Sequence, residues 1–246
     1  MKKLINAILG VGVGLAISLL IFHSEQLKDD FINMNRSKVI EMRNLTQTSG
    51  GTGFFVQTPS GKIKTVTNGH VCRLAGPDGG LVAYLVNDVE VIYVEALYED
   101  NDLCILSAPA GARPLTIASS VRNTENVYVL GFPLLESKTL VKGQVSGARV
   151  VEVLQGYDIP CEGKTYKKIY VEDVGDFFAM LAGYKYMCIR VTRAYIATTN
   201  ILPGNSGSPV FNIYGHVVGV AFAGSPGTSR AMIVPLKDLK DFLKDK

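Results

Sequence analysis

From residue 49 onward, short apolar or alternating runs are separated by clusters of turn residues. The runs are GFFVQ (53–57), KIKTVT (62–67), LVAYLV (81–86), VEVIYVEAL (89–97), DLCIL (102–106), NVYVLGF (126–132), KTLVKGQVSGARV (138–150), KKIYV (167–171), YMCIRV (186–191), AYIAT (194–198), SPVF (208–211), HVVGVAFA (216–223) and AMIVPL (231–236). Alternation places one face of a strand in a core and the other in water, while short continuous apolar runs suit strands buried on both faces. TPSGK (58–62) and VND (86–88) supply turn chemistry between them. Many short strands with regular punctuation predict an all-β sandwich or barrel system. Only the C-terminal LKDLKDFLKDK has helical spacing, with Leu236, Leu239, Phe242 and Leu243 on one face.

Two regions break this texture. MKKLINAILGVGVGLAISLLIFH (1–23) has two lysines followed by an uncharged run from Leu4 to Phe22. A bilayer needs about 20 apolar residues, so the segment predicts a transmembrane signal anchor. Lys2 and Lys3 hold its N-terminus on the cytoplasmic side and send the rest across. Ala16–Ser18 offers a small-residue cleavage motif, which would make the product secreted; the apolar LLIF it would leave behind favours the uncleaved anchor. No cysteine follows the run, which excludes a lipoprotein anchor. Gly10 and Gly14 have the spacing of a helix-dimer motif and leave a homo-oligomer open. Residues 24–46 are polar with scattered apolar positions and read as a partly helical spacer. Residues 47–246 then form one domain, and GYDIPCEGKTYKKIYVEDVGDFFAMLAGYKYMCIRV within 151–192 reads as an inserted hairpin.

Composition narrows the function classes. Hydrophobic residues make up 47% of the 246 and charged ones 19%, which suits a sizeable core and excludes disorder. A net charge of +3, with basic residues dispersed, excludes a nucleic-acid partner. Four cysteines suit an oxidising compartment. Cys161 and Cys188 could staple the inserted hairpin, whereas Cys72 and Cys104 read as buried thiols at least as readily as a bridge.

Three histidines make the search for a general base short. His23 flanks the apolar run and His216 sits at a turn entering a strand; both have plain structural explanations. His70, in TNGHVC, stands where a strand ends and a tight turn begins. Its partner is Ser206 in GNSGSP, where Gly204 and Gly207 allow backbone conformations closed to other residues. Such a turn exposes the serine oxygen and aims the N–H groups of Gly204 and Ser206 at one spot, as acyl transfer requires. Asp102, leading into the apolar LCIL, is the carboxylate that would orient the imidazole, ahead of Asp100 two residues earlier.

The order His70, Asp102, Ser206 resembles that of trypsin-like serine proteases. TGFFVQ, TVTNGHV, DNDLCIL, VYVLGFPL with KGQVSG, and TTNILPGNSGSPVFNIYGHVVGV resemble the HtrA-like (Deg) branch, over most of residues 49–150 and 193–244. The resemblance implies two six-stranded β barrels with the triad in the cleft between them. His70 would be the general base, Asp102 its orienter and Ser206 the nucleophile, with Gly204, Asn205 and Ser206 forming the oxyanion hole. It implies no metal and no cofactor.

Ser208 and Gly69 replace the family's usual glycine and alanine, residues 151–192 are longer than the family loop, and the branch's PDZ domain is absent. Asn205 stands where digestive members carry an activating aspartate, which argues against switching-on by a newly cut N-terminus. The specificity pocket would be lined by Asn200, Ile201, Ala221, Phe222, Ala223 and Gly224; none is acidic, and Phe222 would favour small or medium apolar side chains. The expected activity is therefore endopeptidase action on unfolded or extended polypeptide, outside the cytoplasm. Its rivals are a viral or phage-type processing protease with one cleavage site and a peptide-binding pseudoprotease.

Overall fold

The computed structural model describes residues 26–27, 29–158, 161, 165–176, 179–180, 182–224 and 229–244. Residues 1–36 and 37–246 are two compact units. In the first, residues 29–34 are helical. The anchor expected at 1–23 lies outside the described residues; among the described residues, no helix is long and apolar enough to cross a membrane.

Six strands of the second unit close into a barrel: β1 (Val39–Arg43), β2 (Gly50–Gln57), β3 (Ile63–Thr67), β4 (Gly80–Tyr84), β5 (Val89–Tyr98) and β6 (Leu103–Leu106). Their order around it is β1-β2-β3-β6-β5-β4. Ile40, Met42, Phe55, Leu81, Ile92 and Leu106 meet in its core. β1 lies inside the stretch expected as a spacer. Its buried Val39, Ile40 and Met42 alternate with Glu41 and Arg43, which pair with each other, so the segment looks polar although its inward face is apolar.

The other strands are β7 (Asn126–Gly131), β8 (Thr139–Tyr157), β9 (Tyr166–Tyr170), β10 (Tyr186–Ala197), β11 (Pro209–Phe211), β12 (Val217–Gly224) and β13 (Ala231–Pro235). They form a seven-stranded sheet ordered β13-β12-β11-β7-β8-β10-β9, in which β13 also pairs with β10. Val127, Val129, Val145, Val210, Val218 and Ile233 fill its core. This half departs from a plain six-stranded barrel because the inserted segment adds β9. The insert is not a separate hairpin: β8 and β10 continue outward from the sheet, paired from Val145–Ala197 to Tyr157–Met187, and β9 joins the free edge of β10. The C-terminal helix, Leu236–Lys244, buries the four residues its spacing predicts. Phe242 stacks on Tyr98 of β5.

Both cysteine pairs are disulfides, Cys161–Cys188 in the insert and Cys72–Cys104 in the barrel. The second settles, in favour of a bridge, a pair that sequence left open between a disulfide and buried thiols. β3 and β6 are neighbours, so the cysteines just beyond and within them lie 6.5 Å apart at Cα. Closing a loop over 32 residues restricts the unfolded chain, and the double variant Cys72→Ala/Cys104→Ala is expected to lose about 3–4 kcal/mol. A urea midpoint equal to the wild type's would show that the bridge contributes nothing.

Candidate active site

The antiparallel register of β3 and β6 builds the first half of the site. Thr65, Val66 and Thr67 face Leu106, Ile105 and Cys104, so the exit of β3 meets the entry of β6. After β3 the chain makes one helical turn, Gly69–Cys72, that carries His70; before β6 a single 3-10 turn, Glu99–Asn101, delivers Asp102. Asp102 takes the left-handed conformation (φ 54°, ψ 45°) and is only 1% exposed. Its Oδ2 lies 2.7 Å from His70 Nδ1, and its Oδ1 accepts the backbone N–H of His70 at 2.9 Å. Asn68 Nδ2 donates to the Asp102 carbonyl at 3.0 Å. The carboxylate thus grips ring and backbone together, fixing imidazole orientation. A Cβ on Gly69 would sit 3.1 Å from Asp102 Oδ1, a contact a few tenths of an ångström tighter than usual.

Burial pushes the Asp102 carboxyl upward, but the hydrogen bond and charge of His70, the charge of Arg190 and the His70 N–H outweigh it. The net effect holds the group below the usual carboxylate range, and Asp102 is ionised. An ionised carboxylate only accepts, so Nδ1 carries the proton and Nε2 is left as the base. Asp100 is not the orienter: its Oδ1 accepts from Thr165 Oγ1 at 2.9 Å. His216 closes a turn with Asn212, and His23 lies outside the described residues.

The second half is the loop 199–208. Gly204 (φ +91°) and Gly207 (φ +87°) shape it, and both positions demand glycine on space as well as conformation. A Cβ on Gly204 would lie 2.3 Å from the Phe132 carbonyl oxygen, and one on Gly207 would lie 2.0 Å from that of Thr52. Within the loop, the N–H of Asn205 donates to Leu202 O, that of Gly207 to Ala221 O and that of Ser208 to Asn205 O. Among the described residues, the N–H groups of Gly204 and Ser206 have no acceptor. Asn205, expected with them in one anion site, instead has its N–H engaged and its side chain buried beside Gly131.

Thr52, which the sequence reading passed over, ties the halves together. Its N–H donates to Ser206 O at 2.8 Å and its Oγ1 to Gly204 O at 2.8 Å, while Thr67 Oγ1 donates to its carbonyl at 2.7 Å. Its Oγ1 also accepts the Phe132 N–H at 3.1 Å. One buried residue of β2 therefore fixes the serine loop at the end of the barrel where β3 leads into His70. The signal was present: a hydroxyl flanked by glycines in GGTG, where a Cβ on Gly51 would meet Ser206 O at 2.7 Å.

Of the pocket residues, Ile201 and Gly224 are in contact, and a Cβ on Gly224 would lie 2.6 Å from Ile201 O. Asn200 is exposed, and Ala221 is buried with its N–H on Ser208 O. Ala223 pairs with Met232 beside a bulge. The Phe222 ring is buried beneath the Arg190 guanidinium, 5.4 Å away, rather than standing out into the cleft.

A family model for the trypsin-like peptidase domain matches residues 51–220. No curated protein matches the chain. Similar solved structures include the Rv3671c protease from M. tuberculosis in its active form, with TM-score 0.62 and 18% identity over 86% of this chain and 81% of that one. Deg5 matches with TM-score 0.60 and 20% identity over 88% and 91%. The serine endoprotease from Yersinia pestis matches with TM-score 0.60 and 13% identity over 89% and 67%. At these identities the likeness concerns the fold, and it is the all-β, trypsin-like fold described above. With the family model spanning well over half of its length, the chain belongs to the trypsin-like peptidase family and is a serine-type peptidase.

Proposed function

We propose that the chain is an endopeptidase that cleaves unfolded or extended polypeptide through His70, Asp102 and Ser206, held by residues 1–23 on the outer face of a membrane. One observation carries the reading. Asp102 holds His70 by ring and backbone at the barrel end to which Thr52 ties a serine loop with two unengaged N–H groups.

In this reading Ser206 Oγ attacks the scissile carbonyl carbon and its proton passes to His70 Nε2. The oxygen that becomes negative accepts the N–H groups of Gly204 and Ser206; one such donor is worth about 10²–10³ in turnover. His70 then gives its proton to the leaving nitrogen, the C–N bond breaks, and the acyl group stays on Ser206 as an ester. Water adds to that ester with His70 again taking the proton, and as the acyl–oxygen bond breaks His70 returns that proton to Ser206 Oγ, releasing the acid. Asp102 remains a carboxylate throughout and stabilises the imidazolium. Past Val220, its last residue paired with β11, β12 pairs with β13 alone among the named strands, so residues 222–224 offer one open side to an extended peptide. The lack of acidic pocket residues favours an apolar side chain over lysine or arginine.

A fluorophosphonate probe tests this on the full chain. Wild type is expected to be labelled, and His70→Ala and Ser206→Ala to be blank. Labelling that survives Ser206→Ala, or a folded wild type that takes none, would overturn the triad. A panel of denatured and folded proteins tests the substrate class: cutting confined to one bond of one protein would replace general degradation with dedicated processing.

A further inference from the structure

Arg190, on the inserted part of β10, is among the largest fully buried side chains, 1% exposed. An isolated buried cation is strongly unfavourable, so its partners define its role. Its Nη1 lies 3.4 Å from Asp102 Oδ1 and donates to Glu99 O at 3.3 Å, and its flat face rests on Phe222. Among the described residues its Nε has no partner, while Nη1 is turned toward Asp102 and Glu99. The rest of the insert grips the same turn: Tyr166 OH donates to Glu99 Oε2 at 3.4 Å, Thr165 Oγ1 to Asp100 Oδ1 and Thr192 Oγ1 to Asp100 O at 3.5 Å. Tyr166 stands opposite Arg190 in the β9–β10 register, and Cys188, two residues along, carries the disulfide.

We propose that Arg190 is a positioning residue for the catalytic carboxylate, by which the insert braces Asp102 and tempers its charge. The proposal rests on the triad reading above. Asp102 Oδ1 is shared between the His70 N–H and the guanidinium, which leaves Oδ2 to the ring and fixes the plane of the carboxylate. Arg190 also offsets part of the Asp102 charge that the imidazole faces. The other charged or titratable groups around the cluster are otherwise engaged. Arg73 is paired with Glu99, Tyr166 donates to Glu99, and Asp100 accepts from Thr165. Among the described residues, Arg190 is the one lysine or arginine within ion-pair distance of Asp102.

The test is the rate of inactivation by the fluorophosphonate probe as a function of pH, on the full chain, with Ser206→Ala as the blank. Arg190→Met removes charge and donors, Arg190→Gln keeps a donor for Glu99 O, and Arg190→Lys keeps the charge; thermal melts verify folding. Both neutral variants are expected to move the acid limb to higher pH, because the Asp102 charge is no longer offset, and to lower the plateau about tenfold. Arg190→Lys is expected to keep the wild-type midpoint. Should the methionine variant fail to fold, the glutamine and lysine variants decide. A folded neutral variant with an unmoved midpoint would overturn the proposal, whether or not its plateau falls, because a purely structural residue leaves the midpoint alone. An unlabelled wild type would instead overturn the triad reading, and this role with it.

Discussion

Ser206→Ala is expected to lower kcat by a factor of about 10⁶, with little change in stability or in affinity for peptide. The change deletes one oxygen from a half-buried side chain. The contacts that hold the loop, Thr52 N–H to Ser206 O and Thr52 Oγ1 to Gly204 O, are made by backbone carbonyls and survive it. The N–H groups of Gly204 and Ser206 also survive, so a residual acceleration of about 10³ over water is expected from them and from binding. Because serine and histidine act as one unit, Ser206→Ala/His70→Ala should be no slower than either single variant. Turnover of a denatured protein substrate measures all three. Single-variant losses that multiplied in the double would mean the two side chains work separately, and more than a hundredth of wild-type activity in Ser206→Ala would remove it as the nucleophile.

Much of this was legible in local pattern. Twelve of the thirteen strands fall on runs visible as apolar or alternating segments, and the C-terminal helix buries the residues its spacing marks. β1 escaped because Glu41 and Arg43 make its outward face polar and its five residues are few for a period-two signal. Of the site residues, His70 and Asp102 could be named from sequence. What joins them is the β3–β6 register, a pairing over more than thirty residues that no local pattern encodes. Thr52 and Arg190 are harder cases. Thr52 acts through carbonyls some 150 residues away, and its glycine neighbours are the only local trace. Arg190 shares strand parity with Cys188 and Thr192, both buried, so a charged residue stood on an inward face and could have been flagged. The Cys72–Cys104 bridge follows from the same β3–β6 contact that assembles His70 and Asp102, which is why spacing alone left it open.

Asp102→Asn is expected to act on two properties at once, and their separation bears on the whole site. On activity, the amide supplies one acceptor where the carboxylate supplied two, while His70 presents two donors, its N–H and Nδ1–H. A ring that turns to the other tautomer carries its proton on Nε2 and cannot accept from Ser206; in comparable triads this lowers kcat by about 10⁴. On stability, the substitution strands the Arg190 guanidinium without an anion at a site 1% exposed. Breaking a buried pair from one side typically costs about 3–5 kcal/mol, whereas removing both members can be nearly neutral. Asp102→Asn should therefore be both inactive and less stable in urea. Asp102→Asn/Arg190→Met should regain most of the stability and none of the activity, since it removes the stranded cation without restoring the tautomer. If the asparagine variant were inactive but as stable as wild type, the Arg190–Asp102 contact would carry no charge-pair energy, and the link from the insert to the carboxylate would have to be sought in the Thr165 and Tyr166 contacts alone.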